Sequence, residues 1–248
     1  MRRVASETLS VYENKHNIHA LVEFDVTEPR KMIKKYMEKT GEKISFTGFI
    51  VNCVAQAVEE NKITHAMRYR RKKLVIFEDV DVCTLIERMV DGESWPTYHI
   101  IRGANKKTLG EIHEEIRTAQ VKDVYINDTK KLMKKFLKVP KFIRMPIRKI
   151  VQNNPFSIRK NTGTVIVTAI GMFGMGSGYG IPYVGQTLSV TVGGISRKPV
   201  FIENDEIVAR EFLNVTISLD HDIIDGAPSA RFTARFKELV ETGFGLKN

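Results

Sequence analysis

The spacing of apolar positions changes several times along the chain, and each change marks an element. Residues 19–26, "HALVEFDV", alternate as a strand does. In "TEPRKMIKKYMEKTG" the period becomes helical, with Thr27 as the expected cap, Pro29 in the first turn and Gly41 past the end. "SFTGFIVNCVAQAVEEN" repeats Phe49, Ile50, Val54 and Val58 at helical spacing, which predicts a buried helix. "AMRYRRKKLVIFEDVDVCTLIER" predicts a hairpin whose basic tip is a solvated turn leading into a strand. "TLGEIHEEIRTAQVKD" sets Leu109, Ile112 and Ile116 on one face and acids on the other, a surface helix with His113 at its surface or boundary.

Residues 126–161 differ in character. Leu132, Met133, Phe136 and Leu137 recur with a helical period between lysines, and Pro140 and Pro146 interrupt the pattern. Short, basic, amphipathic helices are expected, packed on the domain with their lysines in water. The same pattern can dock on a membrane surface or an acidic partner, but membrane contact is not the expectation.

Beyond this segment come a strand over "GTVIVTAIG", a glycine-rich loop and further strands at short intervals. Glycines at 171, 174, 176, 178 and 180 fit neither a P-loop nor a dinucleotide fingerprint, so a flexible or close-packed loop is expected. Strands and helices mixed in the first half, with strands dominating the second, predict an α+β fold: a mixed sheet with flanking helices.

The last strand carries the candidate chemistry. In "LNVTISLDHDIIDG" Leu213, Val215, Ile217 and Leu219 share one face, and a period of two puts His221 on that face if the strand persists. A partly buried imidazole there stays neutral and able to accept a proton near pH 7. A helix follows, with Gly226 at the junction, Pro228 in its first turn, Phe232, Phe236, Leu239 and Val240 on its core face and Gly243 past its end. Spacing alone fits both a core histidine and a catalytic one.

Composition narrows the setting. The 248 residues are 42% hydrophobic and 27% charged, the balance of a globular protein with a sizeable core. No apolar run approaches the ~20 residues that span a bilayer, and "MRRVASETLS" lacks the apolar core of a secretory signal, so a cytoplasmic protein is expected. Cys53 and Cys83 lie in apolar contexts without metal-type spacing and are expected to be packed thiols, with no metal. A net charge of +10 favours an anionic partner. Nucleic acid is not expected, because no aromatic-basic motif accompanies the lysines.

His-x-x-x-Asp-Gly closing a strand, here "HDIIDG", resembles the signature of the chloramphenicol acetyltransferase-like superfamily. The resemblance is strongest to the catalytic domain of the dihydrolipoamide acyltransferases of 2-oxo-acid dehydrogenase complexes. "KISFTGFIVNCVAQAVEEN", "RGANKKTLGEIHEEI", "GTVIVTAIGMFG" and "TLSVTVGGISRKPV" resemble further segments of that family in the expected order.

The resemblance implies a chloramphenicol acetyltransferase-like two-layer sandwich: one catalytic domain over 1–248 with a basic helical insertion at about 126–161, a stand-alone form without lipoyl or subunit-binding domains. It implies coenzyme A or acyl-coenzyme A as substrate and a small-molecule or lipoyl-protein acceptor. It also implies a homotrimer, possibly in a higher assembly, with active sites between subunits. His221 takes the role of general base, Thr168 that of oxyanion donor across the interface, and Asp225 that of a structural carboxylate with Arg3 as its candidate partner. Gly226 lets the backbone turn. Asp222 stands where those enzymes usually carry Arg, and Ala169 where they carry Asn or Ser. A non-catalytic trimeric scaffold or ligand-binding relative is the alternative these departures leave open.

Overall fold

Ile207–Asp220, whose second half alternates apolar and polar residues from Leu213 to Asp220, makes the longest hydrogen-bonded ladder among the described residues together with Leu188–Phe201. The computed structural model describes Glu7 and residues 15–41, 43–70, 73–90, 93–121, 139–171 and 176–246, with backbone alone at 87–90, 93–96 and 204. Its strands are β1 (Asn17–Asp25), β2 (Met67–Tyr69), β3 (Lys73–Val75), β4 (Val82–Val90), β5 (Glu93–Ile101), β6 (Val165–Ala169), β7 (Leu188–Phe201) and β8 (Ile207–Asp220). Six form one sheet in the order β1-β8-β7-β6-β4-β5, while β2 and β3 form a separate hairpin. β6 runs parallel to both its neighbours and the other pairs are antiparallel, so the sheet is mixed.

The helices are α1 (Thr27–Thr40), α2 (Phe46–Glu60), α3 (Leu109–Val121), α4 (Lys141–Gln152), α5 (Pro155–Thr162) and α6 (Gly226–Glu241). The apolar row Leu213, Val215, Ile217 and Leu219 of β8 faces the core, and registers with Val192, Val190 and Leu188 of β7. Helices α1, α2, α3 and α6 pack over that face. Phe24 of β1 meets Phe236 of α6 edge-to-face, with ring centroids 5.1 Å apart. Each such buried side chain contributes ~1.5–3 kcal/mol of burial, which holds α6 on the sheet and fixes the corner that precedes it.

Several local expectations need correction. Thr27 does not cap α1 with its side chain; its hydroxyl accepts a hydrogen bond from the Glu211 amide instead. His113 is buried, and its Nδ1 accepts the Ser45 amide proton at 3.0 Å, tying α3 to the start of α2. Pro146 lies within α4 on its exposed side and does not break it, whereas Pro140 stands just before the first turn. The part of the basic segment at 122–138, with Leu132, Met133, Phe136 and Leu137, lies outside the described residues.

The opposite sheet face is polar and equally covered. Asn214, Thr216, Ser218 and Asp220 of β8 and Ser189 and Thr191 of β7 are all buried. At the bulge between Val192 and Ile195, a Cβ on Gly193 would come within 2.1 Å of the Gly178 carbonyl oxygen and one on Gly194 within 2.0 Å of that of Gly176. The glycine-rich loop is therefore close-packed, lying directly on the strand backbone; Gly174 falls outside the described residues.

Candidate active site

β8 stops one residue before the candidate base. The amides of Ile223 and Ile224 both donate to the Asp220 carbonyl, at 3.0 and 3.1 Å, and this turn swings His221 off the strand. Ile224, 2% exposed, occupies the core instead, while the His221 side chain is 44% exposed. The expectation that His221 points into packed protein is thus overturned: the turn ends the period of two on which it rested.

What holds the turn is the dipeptide before β1. The His221 amide donates to the His16 carbonyl at 2.8 Å. Lys15 Nζ bridges the buried Asp220 carboxylate, at 2.9 Å, and the Gly185 carbonyl, at 2.7 Å. Asp220 also accepts the Asp222 amide at 3.1 Å. Asp222 in turn lies 2.9 Å from His16 Nδ1, and Arg68 donates to its carbonyl at 3.1 Å. The His16 hydrogen bond, with the nearby positive charges of Arg68 and Lys15, holds the Asp222 carboxyl below its usual range against the opposing effect of burial.

Asp225 occupies the cap position of α6 in extended conformation, but its carboxylate makes no capping bond. Its backbone carbonyl accepts from the Ser229 amide and hydroxyl, and its exposed carboxylate stands 4.0 Å from His221 Nδ1, beyond hydrogen-bond reach. Gly226 begins the helix with no neighbour that a Cβ would meet, so nothing within the described chain demands glycine there. Arg3 lies outside the described residues.

Thr168 is half-buried on β6, opposite Thr191, which is itself opposite Thr216 of β8. His221 lies two strands across from Thr168 and five residues beyond Thr216. At ~3.3 Å per residue and ~4.8 Å between strands, the two are on the order of 15–20 Å apart. One copy brings His221 and Asp225 together and keeps Thr168 away from both.

The comparisons with known proteins bear on this corner directly. Residues 155–245, spanning α5 to α6, match the family described as 2-oxoacid dehydrogenases acyltransferase (catalytic domain). The match is a likeness of this part of the chain to that family. The dihydrolipoyllysine-residue acetyltransferase component of the pyruvate dehydrogenase complex of Rickettsia prowazekii is 27% identical over 208 residues, 84% of this chain and 43% of that protein. The chain thus spans less than half the length of that relative.

The fold is shared more widely. A dihydrolipoamide acetyltransferase structure from Azotobacter vinelandii, studied for the catalytic roles of a serine, a histidine and an asparagine, superposes with a TM-score of 0.70 at 19% identity, over 97% of this chain and 88% of that one. Chloramphenicol acetyltransferase superposes with a TM-score of 0.50 at 12% identity, over 94% of each chain. The α+β sandwich expected from sequence is therefore the fold of the 2-oxoacid dehydrogenase acyltransferases.

Sequence reasoning missed a cavity beside this corner. Behind the His221 turn lies a space of about 420 Å³ lined by Lys15, Arg68, Arg70 and Lys149 together with Asp220 and Asp222. Lys15 and Arg68 face the Asp220 and Asp222 carboxylates there, while Arg70 and Lys149 add positive charge suited to an anionic group. The signal was present in "RYRRKK", which was read as a solvated hairpin tip because nothing local shows that the hairpin folds back toward residues 220–223. The cysteines are packed thiols, as expected: burial pushes Cys83 up to about 12 and Cys53 well above its ordinary value, so neither is a thiolate at neutral pH. Among the described residues no group of three or more His, Cys, Asp or Glu could hold a metal ion, and no helix is long and apolar enough to cross a membrane.

Proposed function

We propose that this chain is a coenzyme A-dependent acyltransferase, moving an acyl group between the coenzyme thiol and an acceptor thiol, hydroxyl or amine. The observation that carries the reading is the fastened turn at His221: three contacts from Lys15 and His16 fix the backbone, while the imidazole remains half-exposed at the strand-to-helix corner. A base must be rigidly placed and yet accessible to the proton it removes.

In the forward direction His221 takes the proton of the acceptor thiol as its sulfur attacks the thioester carbonyl carbon. The carbonyl electron pair moves onto oxygen, and the Thr168 hydroxyl donates a hydrogen bond to that oxyanion. The intermediate collapses by breaking the bond to the coenzyme sulfur, which leaves as a thiol with the proton returned by the imidazolium. A general base contributes ~10² to 10⁴ in rate. Because Thr168 is two strands from the His221 turn in one copy, the donor comes from a neighbouring copy, which makes the active unit an oligomer, a trimer in this reading. The separation of the two residues within one chain supports this arrangement.

The acceptor is a lipoyl group carried on a protein, the class named for the Rickettsia relative, or a small molecule. The test is release of free thiol from acetyl-coenzyme A with dihydrolipoamide or chloramphenicol as acceptor, for the wild type beside His221→Ala. Turnover by the wild type and its loss in a mutant of unchanged assembly supports the reading. An unchanged His221→Ala rate removes the proposed base, and coenzyme A binding without transfer to any acceptor favours a non-catalytic scaffold, the reading that Asp222 and Ala169 motivate.

A further inference from the structure

α4 is mounted the wrong way round for a helix of a water-soluble fold. Its buried side chains are Arg144, 1% exposed, and Arg148. Phe142, Ile143, Ile147, Ile150 and Val151 face outward, 44 to 77% exposed. An amphipathic helix packed by the hydrophobic effect alone would be rolled to the opposite orientation.

What prevents the roll is an ion pair. The Arg144 guanidinium donates to both carboxylate oxygens of the buried Glu7 and, at 2.7 Å, to the Val139 carbonyl. Turning α4 over would bring its isoleucines to the core only by parting this buried pair, and breaking a buried ion pair costs several kcal/mol. The apolar side is therefore held outward. Extended apolar patches on a surface mark sites of contact with a protein or a membrane.

Charge decides between the occupants. Residues 139–162 contain Lys141, Arg144, Arg148, Lys149, Arg159 and Lys160 and not one Asp or Glu. Lys141 and Lys149 are exposed beside the apolar face, and the chain as a whole carries +10. Two copies meeting face to face through α4 would set lysine against lysine. A single convex helix with aromatic and branched apolar side chains outward and lysines alongside instead matches the geometry of a helix lying in the headgroup layer of an anionic bilayer.

We propose that α4 docks this protein on an anionic phospholipid surface, with Phe142, Ile143, Ile147 and Ile150 inserted at the headgroup level and Lys141 and Lys149 among the phosphates. The attachment is peripheral.

Cosedimentation with vesicles of phosphatidylcholine, with and without phosphatidylglycerol, tests it. The wild type should pellet with the anionic vesicles, less so as salt rises, and stay in solution with phosphatidylcholine alone. Ile147→Asp/Ile150→Asp should weaken binding by at least about tenfold, since two inserted side chains are lost, and Lys141→Gln/Lys149→Gln should remove the salt dependence. All four positions are on the outer side, so circular dichroism should show both variants folded. Absence of wild-type binding to anionic vesicles overturns the proposal, as does equal binding by the isoleucine variant. Dissociation of a wild-type oligomer by Ile147→Asp/Ile150→Asp in sedimentation velocity also overturns it, by assigning the face to a subunit interface.

Discussion

Nδ1 of His16 lies 2.9 Å from the Asp222 carboxylate, and the carbonyl of the same His16 accepts the His221 amide at 2.8 Å. One residue thus holds both the candidate base and its neighbour. The acid at 222 is a member of a local cluster with Lys15, His16 and Arg68, and this accounts for a negative charge where the acyltransferases commonly carry Arg.

Asp222→Arg should therefore be harmful even though it restores the commoner residue. It places a guanidinium among Lys15, His16 and Arg68, and a loss of about 1 kcal/mol is expected for a pair of this partial exposure. For a chain of this length that is a fall of ~2–4 °C in Tm, read by differential scanning calorimetry, with a drop in kcat as the turn loosens. A variant as stable and active as the wild type would show that the cluster does not hold the turn.

Replacement of Thr168 should separate hydroxyl from shape. Thr168→Ser keeps the donor and should retain activity, whereas Thr168→Val keeps the branched shape without the donor and should lose ~10² to 10³ in kcat with little change in KM. Steady-state kinetics on both variants checks this; equal rates would exclude Thr168 from oxyanion stabilisation.

Stability should fall with pH through His65. The ring is fully buried between Thr164 and the Phe77 carbonyl, and burial pushes its pKa down from 6.5 to about 4 despite the Phe77 hydrogen bond. The unfolded chain takes up the proton first, so stability is full above pH 6.5 and declines as pH falls toward 4. The slope is ~1.4 kcal/mol per pH unit, roughly 3 kcal/mol over the whole window. Urea titrations from pH 7 to 5 should show that slope in the wild type and its absence in His65→Gln.

Gly163→Ala should destabilise far more than Gly41→Ala. Both glycines have positive φ, +68° and +72°, but a Cβ at 163 would sit 2.5 Å from the Asp81 carbonyl oxygen, while at 41 it meets nothing. That oxygen accepts the Thr164 and Val165 amides, so the clash falls where β6 joins β4. The expected losses are about 1 kcal/mol at Gly41 and ~2–4 kcal/mol at Gly163, measured by chemical denaturation. Similar losses at the two sites would contradict the packing argument.

Much of this was legible from local pattern. The core rows of β8 and α6, Leu213 to Leu219 and Phe232 to Val240, followed from their periods, because burial on one face of a strand or helix writes its period into the sequence. Gly41 and Gly243 end their helices with positive φ, as their positions predicted. The corner "HDIIDG" was recognisable for the same reason: strand, turn and helix are adjacent in sequence. The face of His221 was not, because a period can be extended past the point where a turn stops it, and only the Asp220 carbonyl's two bonds locate that point.

By itself, then, the sequence determined most of the elements, though not β5, together with the core-facing rows, the family pattern and the residues proposed for chemistry, since each depends on neighbours a few positions away. Tertiary structure alone decided that His113 is buried under Ser45, that Arg68 and Arg70 line a cavity at the His221 turn, and that Thr168 stands apart from His221. It also decided that α4 turns its isoleucines outward. A helical period records which residues share a side; which side faces in was set here by Glu7, 137 positions from Arg144 in the chain.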